Sequence, residues 1–295
     1  MRTQAAMLLA LCLLATLAVA AAPAAAPTAA TDTTPESTLE NAPTTPDRET
    51  PPPVPPAPPR ITDDATYQTC MDRLATDPAG AQTIADTLAG QGLAEPATHC
   101  RALAQIELGN PQAGAGMLDS LAGSSQAPAA SRAELFGQAS TAWTMAGDAG
   151  HALQSAAQAL TLAPDDPDLL VAHAIAAIAM QNPKAAVSDL DAALAADPSR
   201  NDARLARATA NRLAGHIPAA SADITAVLQT DPANPDALLE RGVIRQRAGD
   251  LAGARADWQR VGDLAADTAI ADQAEQYLAL LAASPPNAAE GAPPR

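Results

Sequence analysis

The chain has 295 residues, a formal net charge of −16, an apolar fraction of 47% and aromatic residues at only 2%. So acidic a surface repels phosphate backbones, which speaks against nucleic acid as a partner, and no basic amphipathic stretch suggests binding to a membrane surface. With so few aromatic rings, any core must be built from Ala, Leu, Val and Ile.

Residues 1–22 read as an export signal. Arg2 supplies a positive start, Ala5 to Val19 run without a charge, and Ala18-Val19-Ala20 forms a small-x-small cleavage site before Ala21. The run is shorter than the roughly 20 apolar residues a membrane span needs. Cys12 follows Leu11, too bulky for a lipoprotein cleavage site, and is read as filler of the apolar segment. Cleavage would place the chain in the periplasm or outside the cell with a charge of −17. The alternative is an uncleaved segment anchored in the inner membrane, the one route by which the membrane becomes a partner.

Residues 23–60 are rich in Pro, Thr and Ala and include the run Pro51-Pro52-Pro53-Val54-Pro55-Pro56-Ala57-Pro58-Pro59. They lack the apolar side chains that offset ordering entropy, so a disordered linker is expected. The alternative is a ligand for a proline-binding partner or for the protein's own groove.

The folded part is expected from residue 61. In 61–132, Thr66 to Thr76 reads as a helix carrying Cys70. Asp77-Pro78 caps and starts a second helix, which Gly90-Gln91-Gly92 ends. Glu95-Pro96 starts a third, carrying His99 and Cys100, and Gly109-Asn110-Pro111 separates it from a fourth that closes at Gly123. In an exported chain Cys70 and Cys100 are expected to form a disulfide pinning the first helix to the third. The alternative is two buried free thiols.

From Ala133 the chain aligns in rows of 34 residues: 133–166, 167–200, 201–234 and 235–268. Position 8 of each row reads Ser140, Ala174, Ala208, Gly242. Position 20 reads Ala152, Ala186, Ala220, Ala254, and position 27 reads Ala159, Ala193, Val227, Val261. Position 32 reads Pro164, Pro198, Pro232 and then Ala266. Trp143 stands at position 11 of the first row and Trp258 at position 24 of the last. With this period and these small residues and prolines, the chain resembles the tetratricopeptide repeat family. The resemblance is specific over Ala133 to Asp267 and extends, degenerate, over about 95–283, with an offset of four residues within Ser124 to Ala130. It implies an all-α fold, a right-handed α-solenoid of stacked antiparallel helix pairs. Residues 269–283 would cap the apolar face of the last repeat, and 284–295 read as a disordered tail.

Two constellations follow from the register. Position 7 reads His173, Arg207, Arg241 and position 23 reads Asp189, Asp223, Asp257. In the helix-pair geometry of the family these are three basic–acidic pairs bridging helix A to helix B, structural in role. The family's concave face is lined by helix A positions 2, 5, 9, 12 and 13. It would here carry an apolar strip of Val171, Ile175, Ile178, Leu205, Thr209, Leu239 and Val243. Glu134, Asp168, Asp202 and Asp236 would stand at one edge, Arg212 and Arg247 at the other. Chaperone-binding members clamp a carboxylate with Lys and Asn; position 9 here is Thr141, Ile175, Thr209, Val243, so that clamp is not carried. The alternative for the strip is that its side chains pack on each other or under the C-terminal helix.

The four histidines lack zinc-ligand spacing and are read as surface or helix-terminus residues. No phosphate loop, nucleophile elbow or Ser/Lys pair is present. The expectation is therefore no enzyme, no cofactor, no metal and no small-molecule substrate. The family is a binding scaffold serving unrelated partners. The expected function is a scaffold of the cell envelope that binds a protein or peptide segment in the groove. The alternative is a structural subunit of a larger envelope secretion, assembly or cell-wall complex.

Overall fold

The computed structural model describes residues 62–283, which form thirteen helices and no strand. The readings made for residues 1–22, 23–60 and 284–295 lie outside the described residues. In chain order the helices are α1 (Ala65–Arg73), α2 (Pro78–Gly90), α3 (Ala94–Glu107), α4 (Pro111–Ser124), α5 (Ala129–Met145), α6 (Ala149–Leu162) and α7 (Pro167–Ala179). They continue as α8 (Pro183–Ala196), α9 (Asn201–Leu213), α10 (Ile217–Thr230), α11 (Pro235–Arg247), α12 (Leu251–Leu264) and α13 (Ala269–Ala283).

Local chemistry sets most of these bounds. Side chains of Asp64, Asp77, Asp148, Asp166, Asn182, Asn234 and Asp250 accept from backbone N–H groups in the first turns they precede. Proline opens α2, α4, α7, α8 and α11, where its missing N–H has no intrahelical partner to lose. Helix α1 ends at Arg73, earlier than the expected Thr76, and the N–H groups of Thr76 and Asp77 both return to the Arg73 carbonyl in a closing turn before Asp77 caps the next helix. Helix α3 starts at Ala94, so Pro96 sits inside the first turn, where N–H groups are unpaired anyway.

The turns within helix pairs need a left-handed residue. Gly147, Gly215 and Gly249 supply it at position 15 with φ of 77°, 83° and 86°. The second repeat places Gln181 there, at φ 58°.

Each helix packs on the next, and in addition α5, α7, α9, α11 and α13 pack on one another in series, forming one wall. The apolar interior is divided in the same order. One cluster gathers residues between Tyr67 and Cys100 plus Ala104, the next Ala102 to Ala176, the next Leu170 to Ala210, and the last Leu205 to Leu281. Every module thus shares its core with its immediate neighbours.

Close approach explains the small residues. A Cβ on Gly242 would lie 2.2 Å from Nε1 of Trp258, which is fully buried and donates to the Leu239 carbonyl at 3.2 Å. A Cβ on Gly114 would lie 2.6 Å from the Ala102 carbonyl oxygen, between α4 and α3. Cys70 and Cys100 form a disulfide with a Cα–Cα distance of 6.2 Å, joining α1 to α3.

Candidate functional site

The wall built by α5, α7, α9, α11 and α13 carries the residues expected to line a groove. Most of the expected apolar strip is not open. Val171 is 7% exposed, Ile178 2%, Leu205 7%, Thr209 2%, Leu239 3% and Val243 7%. The physical reason is the tight stacking of one wall helix on the next. Leu205, Leu239 and Val243 enter the same core as Ala208 and Ile224, and Val171 and Ile178 the same core as Ala174 and Ala206. Ile175, Thr141, Met145 and Leu213 keep partial exposure, and Arg247 is exposed. The accessible wall is narrower and more polar than the sequence suggests.

Arg212 also departs from the expectation of an edge cation. It is 2% exposed, and its Nε donates to the carboxylate of Glu240, itself 3% exposed. The wall helices α9 and α11 pack together and close over this pair.

The acidic edge is only partly unpaired. Arg200 donates to both Asp168 and Asp202. Burial alone would raise the Asp202 carboxyl, but the Arg200 bonds and charge hold it below its ordinary range. Burial raises Glu134, assisted by the charges of Asp166 and Asp168 and opposed by a bond from Gln138. Burial pushes Asp236 up to about 6.

The three basic–acidic pairs bridge α7–α8, α9–α10 and α11–α12. His173 Nδ1 lies 2.7 Å from Asp189. Arg207 grips Asp223 with two bonds of 2.9 and 2.7 Å, and Arg241 grips Asp257 with bonds of 3.0 and 2.6 Å. The bidentate bonds raise both arginines above their already high range. Arg207 Nη1 also reaches Asp191 of the preceding pair at 2.6 Å, and Arg245 joins Asp257 at 2.7 Å. The first repeat has a different arrangement. There Asp119 accepts from Trp143 Nε1 and Ser155 Oγ, both at 2.7 Å. Asp191 occupies position 25 of its row, a signal the sequence reading passed over.

His99 corrects the surface reading of the histidines. It is 4% exposed. Its Nδ1 is 2.7 Å from the Tyr67 hydroxyl and its Nε2 2.7 Å from Gln138 Oε1. Gln138 donates its Nε2 to Glu134 at 3.3 Å, so His99 Nε2 carries the proton and Nδ1 accepts from Tyr67. Burial lowers the His99 pKa, with the Gln138 bond opposing. This chain of bonds links α1, α3 and α5. Of the remaining histidines, His151 is exposed and pairs with Asp148 at 2.6 Å, and His216 is exposed before α10.

Among the described residues, no group of three or more His, Cys, Asp or Glu is placed to hold a metal ion, and no helix is long and apolar enough to cross a membrane.

No protein-family model matches the chain, and no curated protein does. Solved structures do. TTC0263, a thermophilic TPR protein of Thermus thermophilus, is 17% identical with a TM-score of 0.53, over 63% of this chain and 100% of that one. An IFIT1 monomeric mutant with Gppp-AAAA is 15% identical with a TM-score of 0.56, over 73% of this chain and 52% of that one. YrrB, described as a TPR protein with an unusual peptide-binding site, is 16% identical with a TM-score of 0.45, over 72% of this chain and 98% of that one. Among the described residues, six consecutive helix pairs followed by one further helix, a 34-residue period and the likeness to TTC0263 agree: the chain has the tetratricopeptide repeat fold.

Proposed function

We propose that the protein is a non-catalytic interaction scaffold of the cell envelope that holds a protein or peptide segment against the wall of α5, α7, α9, α11 and α13. The observation that carries the reading is this wall itself. Five helices of similar length stand side by side, and partly exposed Met145, Ile175 and Leu213 alternate with polar and charged side chains along it. Such a surface suits a segment with a few apolar side chains and mixed charge. The repeated ion pairs tie helix to helix and hold the wall rigid, which reduces the ordering cost of binding. The export signal read at residues 1–22 supports a periplasmic or secreted site of action, with an inner-membrane anchor as the other outcome for that segment.

The second reading, a structural subunit of a larger envelope assembly, draws support from the burial of Val171, Ile178, Leu205 and Leu239. That burial leaves a groove ligand less apolar surface and gives the outer face or the Pro-rich segment 51–59 more weight.

Capture from an envelope extract separates the two. Substituting Ile175→Asp together with Met145→Asp changes two partly exposed side chains of the wall. The double variant should stay helical, with a lowered melting temperature because Ile175 packs partly on the core, and should lose the captured partner at a temperature where it is folded. Undiminished capture would sink the groove reading in favour of the assembly subunit.

A further inference from the structure

The inner helices do not form one unbroken row. Helices α5, α7, α9, α11 and α13 pack on one another in series, and α1 packs on α3, but among the described residues α3 and α5 do not close on each other in the same way. Each packs instead on α4, which stands behind them both. The four-residue offset of the repeat register falls at the same place, within Ser124 to Ala130. A seam therefore separates the disulfide-stapled unit from the repeats that follow.

Hydrogen-bonding side chains bridge this seam. His99 of α3 is 4% exposed, and its Nδ1 accepts from the hydroxyl of Tyr67 on α1 at 2.7 Å. Its Nε2 donates across the seam to Gln138 Oε1 of α5 at 2.7 Å, and Gln138 Nε2 donates to Glu134 at 3.3 Å. A neutral imidazole can accept at one nitrogen while it donates at the other, and an imidazolium cannot. A proton on Nδ1 takes away the acceptor of the Tyr67 hydroxyl and leaves a cation shut away from water.

Both ring nitrogens are engaged by uncharged groups, so no carboxylate is bonded to the ring to steady its charge. On α5 the carboxylate of Glu134 stands beyond Gln138. On α3 itself Glu95 lies one turn earlier and accepts from Ser125 Oγ at 3.0 Å. Asp86 of α2 is held by Arg101 at 2.7 Å, and the oxygens of Asp119 on α4 are taken by Trp143 and Ser155. Cys100, the next residue, is in the disulfide and does not titrate.

We propose that the seam between α3 and α5 is a pH-sensitive joint, closed while His99 is neutral and opened about α4 when His99 takes up a proton, which changes the curvature of the array at its N-terminal end. Burial lowers the His99 pKa in the closed form, with the Gln138 bond opposing. An open seam returns the ring to water and to its ordinary proton affinity, so the open form binds the proton more tightly and acid favours it. The closed form is fully stabilised above the ordinary histidine pKa and loses that advantage as pH falls through the lower pKa of the closed form. The disulfide keeps α1 and α3 together, so the movement lies between the two units and not within the first.

The test is a distance measured by pulsed electron resonance on the full chain, titrated downward from neutral pH. Spin labels replace the partly exposed Thr98 on α3 and Thr141 on α5, attached through ketone-bearing side chains that leave the disulfide intact. A second pair, at Thr141 and Ala179, reports on α5 and α7. The first distance should lengthen by about 3 Å or more, the thickness of one layer of water, while the second holds and the far-ultraviolet helical signal stays. The midpoint should coincide with that of the His99 ring protons, followed by nuclear magnetic resonance. His99→Gln should keep the short distance at every pH. Gln138→Leu, which removes the bond across the seam, should show the long distance already at neutral pH and decides the matter where His99→Gln does not fold. A first distance that stays constant while His99 titrates, a lengthening that persists in His99→Gln, a short distance at neutral pH in Gln138→Leu, or equal lengthening of both pairs overturns the proposal.

Discussion

At position 8 the same slot is filled by Ser140, Ala174, Ala208 and Gly242, and the structure gives each choice a different energetic meaning. The Ser140 Oγ is fully buried and has no hydrogen-bond partner, whereas the two alanines fill the slot without a polar atom. Ser140→Ala should therefore raise stability by about 1 kcal/mol, since a desolvated hydroxyl is removed. Gly242 faces the Trp258 indole at a distance no Cβ can share. Gly242→Ala should lower stability by about 1–3 kcal/mol, through displacement of a fully buried ring. Urea unfolding of the two variants decides the pair, and equal effects would sink the argument. Position 8 was legible as small from the sequence alone. That one of its occupants leaves an unpaired hydroxyl and another is forced by tryptophan depends on position 24 of the partner helix, which the period does not report.

Among the elements, α1 to α3 form a unit held by means the later repeats lack. The disulfide closes a loop with a sequence separation of 30 and joins α1 to α3. Closing a loop of about that length contributes roughly 3–4 kcal/mol in the chain-entropy model. Beside it, His99 connects Tyr67 to Gln138 and so ties this unit to α5. Reduction should lower hydrogen-exchange protection in α1 to α3 and leave α9 to α13 as they were; a uniform loss along the chain would contradict it. The helix bounds themselves were largely readable, because Asp77, Asp148, Asp166 and Asn234 cap where capping residues precede helical runs. The groove was not. Register names which face of α7 or α9 carries Val171 and Leu205, but not how closely the next helix lies on it. Alanine-rich neighbours close that gap and take the leucines inside. The same closeness hides Arg212, whose partner Glu240 is one repeat away and could not be paired with it from spacing within a repeat. His99 was misread because nothing local signals burial at a helix start.

For the molecule as a whole, contacts confined to neighbours make stability a local quantity along the chain. Two groups with opposite pH dependence sit at opposite ends. His99 is neutral in the fold and its pKa is lowered, so the unfolded chain binds the extra proton once pH falls below about 6.5. That removes stability from the N-terminal end as pH falls. Asp236 titrates at about 6 in the fold, above the ordinary aspartate value of about 3.9, so the folded chain binds the proton first. That adds stability around α11 over the same interval. Between pH 7 and pH 5, exchange protection corrected for intrinsic rates should fall in α1 to α3 and rise in α11. Asp236→Asn should abolish the rise and leave the fall, and parallel changes at both ends would refute the scheme.

Gln181 closes its helix pair in a backbone region where Gly147, Gly215 and Gly249 close theirs. A side chain held there carries about 1 kcal/mol of torsional discomfort that glycine would not. The hairpin of α7 and α8 is therefore the copy least at ease with its own bend, and it lies midway along the array. Any slackening of the array under load would open first at that joint.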